Sequence, residues 1–241
     1  MKGIILAGGS GTRLRPLTKV TSKQLLPIYN KPMIYYPLET LMRGGITEIL
    51  IITAPDRAGD FLRLLGSGRE LGVKFTYEIQ DNPEGLPQAF TIGDNFIGDD
   101  NVALILGDNI FEDDFSEQIK SFKSGGHVFA KKVPDPERFG VVTFNESGVA
   151  EKIVEKPKEH LSDYAVTGLY LYDNRVVEAA KNLAKSERGE YEIVDLHNFY
   201  LEKGELTVST VSGEWLDAGT FDSLLAANLL IAKREGSAVL Q

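Results

Sequence analysis

The sequence predicts an α/β fold: a mixed, mostly parallel central sheet with helices on both faces, extended by a smaller β-rich part. Three observations predict it. Short continuous apolar runs occur at residues 3–7, 48–53 and 102–106, the pattern of strands buried on both faces of a parallel sheet. Between them lie stretches of helical spacing, such as Ile34, Leu38, Leu41 and Met42 ahead of Gly44-Gly45. The chain has 241 residues and is 42% apolar, enough to bury a sizeable core.

Taken in order, residues 1–7 read as the first strand, which empties into Gly8-Gly9-Ser10-Gly11. Glycine tolerates positive φ and leaves backbone N–H groups bare, and consecutive bare N–H groups form a concavity for phosphate oxygens. Arg13 and Arg15 add guanidinium forks suited to phosphate. The competing reading is a plain strand-to-helix turn. A Rossmann fingerprint would need glycine where Leu14 stands, and a Walker loop would need Gly-Lys-Ser/Thr. Pro16, Pro27 and Pro32 make residues 18–31 irregular. Lys19, Lys23 and Lys31 in that segment can turn back toward the loop.

Residues 33–43 form a helix stopped by Gly44-Gly45. A strand at 48–53, a helix at 57–65 and a strand at 74–79 follow, and the strand at 102–106 runs into Gly107-Asp108-Asn109. After about residue 125 the character changes. Segments 127–133, 140–144, 149–155 and 165–172 read as strands, with Asn145-Glu146-Ser147-Gly148 as a hairpin turn. Helices near 175–185 and 193–203, a strand at 206–211, the single Trp215 and a helix at 221–234 complete the chain. No repeat or linker interrupts it. Residues 1–241 therefore read as one domain, with a nucleotide half to about 125 and a second-substrate half from about 126.

The formal net charge of −9 argues against a general nucleic-acid or anionic-membrane binder. It leaves room for a small phosphorylated ligand, because a few local cations suffice. The sequence contains no Cys, which excludes disulfides and thiolate metal sites and fits a reducing compartment. No apolar stretch reaches transmembrane length, and the run ahead of the glycines is too short for a signal peptide. The expected location is cytoplasmic. With no Cys and no Gly-x-Ser-x-Gly elbow, covalent catalysis has no obvious nucleophile.

Asp108 follows a buried strand, where open α/β sheets bind ligands, although Asp-Asn also suits a helix cap or an Asx turn. Asp217, in Trp-Leu-Asp-Ala-Gly-Thr, is either structural or a second carboxylate, and Asp222 could cap the last helix. Two carboxylates brought together could hold Mg²⁺ with substrate phosphates. Glu155-Lys156 is either a solvated strand edge or a phosphate clamp, and Gln80 and Gly85 flank either a base-reading turn or a surface one. His127, His160 and His197 show no catalytic spacing.

Together these segments resemble the sugar-1-phosphate nucleotidylyltransferases. Leu6 to Thr18 resembles the family's signature, and Ser22-Lys23-Gln24-Leu25-Leu26-Pro27 begins its second motif. Gln80-Asp81, Gly85-Leu86, Leu106-Gly107-Asp108-Asn109, Arg138-Phe139-Gly140, Val154-Glu155-Lys156-Pro157, Val166-Thr167-Gly168 and Trp215-Leu216-Asp217-Ala218-Gly219-Thr220 follow in order. The set is similar to the thymidylyltransferase branch. Pro87 stands where Ala is more usual, and Phe221 where His is common. The resemblance implies a Rossmann-like sheet and a magnesium-dependent reaction of dTTP with α-D-glucose 1-phosphate, giving dTDP-glucose and pyrophosphate. A UTP-using relative, another sugar phosphate, or a silent nucleotide-sugar sensor are the alternatives.

By the same resemblance, Gly8, Gly9, Gly11, Thr12, Arg13, Lys23 and Gln24 hold the nucleotide, and Gln80 and Gly85 read its base. Arg13, Lys23 and Lys156 act at the reacting phosphates. Asp108 and Asp217 hold Mg²⁺, with Asp108 also counted in the nucleotide site. Asn109, Gly140, Glu155, Lys156 and Val166 bind the sugar phosphate. A homo-oligomer is implied. Longer members carry further helices past the position of Gln241.

Overall fold

A computed structural model describes residues 1–237. The first half of the chain runs β1 (Lys2–Ala7), the two-residue strands β2 (Pro27–Ile28) and β3 (Lys31–Pro32), α1 (Tyr35–Arg43) and β4 (Glu48–Thr53). It continues through α2 (Ala58–Leu65), β5 (Lys74–Ile79), α3 (Gln88–Ile92), α4 (Asp94–Ile97), β6 (Val102–Leu106), β7 (Asn109–Phe111) and α5 (Ser116–Ser121). The second half comprises β8 (Gly126–Lys132), β9 (Gly140–Phe144), β10 (Ala150–Glu155), β11 (Tyr164–Tyr172), α6 (Arg175–Lys181) and α7 (Ile193–Leu201). It ends with β12 (Leu206–Thr210), β13 (Trp215–Asp217) and α8 (Phe221–Arg234).

One mixed sheet crosses both halves in the order β10-β9-β11-β6-β1-β4-β5, with β8 on β11 and β12 on β8. Strands β6, β1, β4 and β5 pair in parallel. The β-rich segment is therefore not a separate layer: β11 joins it to β6 in antiparallel register, Leu169 opposite Ile105. Successive residues of a strand face opposite sides of a sheet, and the two cores follow that alternation. Ile4, Leu6, Leu50, Ile52 and Leu104 pack on one side with Phe90, Val176 and Tyr200. On the other side, Ile5, Ile49, Ile51 and Ile105 pack with Leu38, Phe61 and Ile119.

Strand β11 bends. Its register against β8 shifts between Val166 and Tyr170, and its early part pairs Ala165 with Val141 of β9. A register shift of this kind turns a strand and re-aims its side chains, and here β11 passes from pairing with β9 at Ala165 to pairing with β6 from Leu169 onward. A separate two-stranded antiparallel sheet pairs β13 with β7, with Asp217 opposite Asn109. A small core of Ile28, Met33, Ile110, Ala218, Ala227 and Ile231 ties α8 beneath it.

Three expectations need correction. The irregular segment 18–31 contains single turns of 3-10 helix at Leu17–Lys19 and Lys23–Leu25 and contributes to the β2–β3 pair. Lys31 does not reach the glycine loop, because its ammonium pairs with Glu39 and lies 4.6 Å from the Tyr36 ring centre. Thr220 rather than Asp222 caps α8: its hydroxyl accepts from Ser223 N–H at 3.2 Å while the Ser223 hydroxyl accepts from Thr220 N–H at 3.0 Å, a reciprocal capping box. Among the described residues no helix is long and apolar enough to cross a membrane.

Candidate functional site

A cleft of about 510 Å³ lies at the carboxyl end of β6 and is lined from both halves of the chain. Its floor holds two acidic residues from distant places. Asp108 sits on the turn between β6 and β7, and Asp217 ends β13, so the antiparallel pairing of β7 with β13 brings them together. Ala218 N–H donates to the Asp108 carbonyl at 3.0 Å, fixing that register. Lys23 ion-pairs with Asp108 Oδ2, and Asn109 Nδ2 donates to Asp108 Oδ1 at 3.2 Å.

The two carboxyls respond in opposite directions. Burial pushes Asp108 up, but the Lys23 ammonium and the hydrogen bonds around it outweigh this and hold the carboxyl below its ordinary value. Burial and the Asp108 charge push Asp217 up to about 7. Its Oδ1 is buried and has no hydrogen-bond partner. Buried polar atoms are almost always satisfied, so an unsatisfied carboxylate oxygen beside a second carboxylate fits a hard divalent cation that prefers oxygen donors.

The glycine loop forms one wall. Among the described residues, the N–H groups of Gly9, Ser10, Gly11 and Thr12 make no backbone hydrogen bond, while Leu14 and Arg15 close the turn onto Gly11 and Thr12. Arg13 lines the cleft, and its guanidinium packs beside Gly219 next to Asp217. At Gly8 the Gln80 amide approaches so closely that an added Cβ would lie 2.4 Å from its Oε1. Gln80 is buried, and its Nε2 donates to Gln88 Oε1 at 2.6 Å. Gln88 also accepts from Glu84 N–H at 2.8 Å, so the Gln80 amide plane at this end of the cleft is held by its neighbours. Gly85 bridges to Tyr191, with φ +131° and an imaginary Cβ 2.1 Å from the Tyr191 carbonyl. No side chain fits there, and this contact joins the Gly85 turn to the opposite half.

The facing wall comes from β9, β10, β11 and the loop before α7. Glu155 ends β10 in the cleft, so it is not a solvated edge; its side chain is 20% exposed. Burial raises its carboxyl above the ordinary value, against the pull of Lys156. Glu155 Oε1 lies 3.5 Å from Lys156 and 3.3 Å from Arg188, and Arg188 meets Glu192 at 2.6 Å. Burial raises the Glu192 carboxyl, but the Arg188 contact and the Ser186 hydroxyl, 2.6 Å away, bring it below normal. Lys156 has φ +42°, the left-handed region, although it is not glycine. Such a backbone costs about 1 kcal/mol and tends to occur at functional sites.

The cleft therefore brings together Gly9, Arg13, Lys23, Gln24, Gln80, Gly85, Asp108, Asn109, Gly140, Glu155, Lys156, Val166 and Asp217. Gly8 faces a second cavity behind the loop. Gly11 and Thr12 line neither cavity through their side-chain positions, and Thr12 is exposed at the start of a 3-10 turn. Asn109 is occupied structurally as well: its Oδ1 accepts from Gly168 N–H at 3.0 Å and from Trp215 Nε1 at 2.6 Å. Sequence reasoning missed Arg138, Thr167, Arg188 and Glu192, which also line the cleft. Arg188 and Glu192 stand in Ser-Glu-Arg-Gly-Glu-Tyr-Glu, which has the composition of any solvated loop. The three histidines remain outside the chemistry. His197 lies against the cleft but is fully buried, and its Nδ1 meets the Tyr172 hydroxyl at 2.6 Å.

Comparison with known proteins agrees with this geometry. A model of the nucleotidyl transferase family matches residues 2–234. A glucose-1-phosphate thymidylyltransferase from Neisseria meningitidis serogroup A is 57% identical over 230 residues, covering 93% of this chain and 80% of the relative. One from Mycobacterium tuberculosis is 56% identical over 232 residues, covering 94% and 81%. A Bacillus anthracis protein assigned to the same enzyme class, solved in complex with sucrose, superposes with a TM-score of 0.91 at 50% identity, over 95% of this chain and 94% of that one.

Proposed function

The chain belongs to the nucleotidyl transferase family, and from that premise we propose that it joins dTTP to α-D-glucose 1-phosphate, giving dTDP-glucose and pyrophosphate. One observation carries the reading. Gly9 and Arg13 of the glycine loop, the Lys23–Asp108–Asp217 cluster and the Glu155–Lys156 pair all line one cleft.

The nucleophile is a phosphate oxygen of the sugar phosphate, already ionised at neutral pH, so no protein base is needed. It bonds to the α-phosphorus while the bond from that phosphorus to the bridging oxygen breaks, and the electron pair leaves with pyrophosphate. Catalysis is then positioning and charge stabilisation. The loop N–H groups and Arg13 hold the departing pyrophosphate. Lys23, steadied by Asp108, faces the reacting phosphate. Gln80, oriented by Gln88, reads the base edge beside Gly85. Lys156 takes the phosphate of the sugar, and Glu155 accepts from its hydroxyls.

Asp108 and Asp217 are the residues that would hold Mg²⁺; two carboxylates suffice where substrate phosphates and waters complete its shell. When bound, the ion neutralises charge on the reacting phosphates. We also propose that the subunits form a homo-oligomer, which light scattering would read directly.

The central test is release of pyrophosphate from dTTP and glucose 1-phosphate with Mg²⁺ present. A folded protein that releases none overturns the proposal. Ranking dTTP and UTP, and several sugar phosphates, by kcat/KM assigns the substrate pair, because specificity is a ratio of those constants.

A further inference from the structure

A second cavity, of about 520 Å³, lies behind the glycine loop. It sits over the carboxyl ends of β1, β4 and β5, each of which contributes the residue after its last: Gly8, Ala54 and Gln80. Ligands of open α/β sheets bind at such ends. The main cleft uses the other side of β1, toward β6.

Arg15, Lys19 and Arg57 line this cavity. Arg57 is anchored: its Nη2 donates to the Lys19 carbonyl at 3.3 Å, and its Nε lies 3.1 Å from Asp56 Oδ2. Among the described residues, the side chains of Arg15 and Lys19 make no ion pair and no hydrogen bond. The Ser10 N–H, also at this wall, is free of backbone partners. Two carboxylates line the cavity as well, but Asp56 is spent on Arg57, which leaves Asp81 against two unpaired cations. A local positive excess in a chain of net charge −9 is unusual. Free guanidinium, ammonium and backbone N–H groups in one concavity are the chemistry that binds phosphate.

We infer that this cavity takes the phosphates of a second di- or triphosphate, separated from the first by the thickness of the glycine loop. Gly9, Gln80 and Pro83 line both cavities. An occupant behind the loop thus bears on the base-reading glutamine, and the two sites are coupled in binding free energy. The inference goes beyond the reaction proposed above and does not depend on it.

The test is a calorimetric titration of inorganic pyrophosphate in EDTA, where no turnover occurs, into protein saturated with dTDP-glucose and into unliganded protein. Two equivalents per chain are expected. Arg15→Ala and Lys19→Ala, made separately and checked for folding by circular dichroism, weaken one equivalent at least about tenfold, the loss of one charge-assisted contact, and leave the other unchanged. A parallel titration with dTTP separates the sources: a second dTTP equivalent with the same sensitivity assigns the cavity to a nucleotide tail, and its absence assigns it to free pyrophosphate. A single pyrophosphate equivalent, or two that ignore both substitutions, overturns the inference. Failure of dTDP-glucose to bind would count against the proposed reaction alone, because the unliganded titration still reads the second cavity.

Discussion

The two walls of the cleft carry charge in opposite ways. Among the described residues, Arg13 on the glycine-loop wall has no ion pair, and four successive N–H groups of the loop have no backbone partner. Across the cleft, Lys156, Glu155, Arg188 and Glu192 are linked in that order by a chain of ion pairs. The difference suits the role we propose for each wall, pyrophosphate at the first and the sugar phosphate at the second. Pyrophosphate brings several negative charges and must then leave, so its wall keeps donors free until the anion arrives. A sugar is neutral except at its phosphate, so its wall can be held rigid in advance by its own ion pairs, which lowers the ordering cost of binding.

The comparison can be broken by substitution. The largest effect is expected at the floor, where both walls meet. Asp108→Asn removes the partner of Lys23 and one of the two carboxylates, and should lower kcat by on the order of 10²–10³ while leaving the fold intact; a wild-type rate of pyrophosphate release would remove Asp108 from the mechanism. Next comes the free wall. Arg13→Ala should cost about 10² in kcat, because its charge is used as the pyrophosphate departs. If KM for dTTP rises instead and kcat holds, Arg13 serves binding alone.

The buried carboxyl of Asp217 makes a stability prediction. Its pKa is about 7 in the folded protein against an ordinary 3.8. The folded state therefore holds a proton through this window that the unfolded chain has released, so this contribution to stability falls as pH rises from about 4 to 7. Asp217→Asn carries no such penalty. In EDTA its stability relative to the parent should improve by about 2–3 kcal/mol between pH 5 and pH 8, as read from urea midpoints. A difference independent of pH would show that Asp217 is not held protonated. The paired wall is expected to give the smallest effect. Arg188→Ala frees Glu155 and Glu192 and should raise KM for the sugar phosphate about tenfold, with KM for dTTP unchanged. Equal shifts in both would mean that the network shapes the whole cleft rather than the sugar side.

Much of the fold was legible in the chain itself. The strands at 48–53, 74–79 and 102–106 and the last helix at 221–234 lie where periodicity and glycine stops put them. The hairpin turn at Asn145–Gly148 closes as read, with Asn145 N–H donating to Val149. Less legible were the short helices α3 and α4, of five and four residues, because so few positions carry no period. At the site, most residues recognisable from motifs line the cleft, Gly8, Gly11 and Thr12 excepted, whereas Arg188 and Glu192 had no signal beyond ordinary charge.

By itself the sequence determined what depends on near neighbours: buried runs that must be strands, glycines that free a loop's N–H groups, prolines that stop a helix. Only the tertiary structure decided what meets what. Asp108 and Asp217 share a floor because β13 pairs with β7 in one register. Arg188 reaches Glu155 on a loop whose Tyr191 bridges to Gly85 from the opposite half. Lys31, which the sequence could aim at the glycine loop, was claimed by Glu39. Local conformational preferences act over a few residues, while strand register and the bend in β11 are set by packing across the whole sheet.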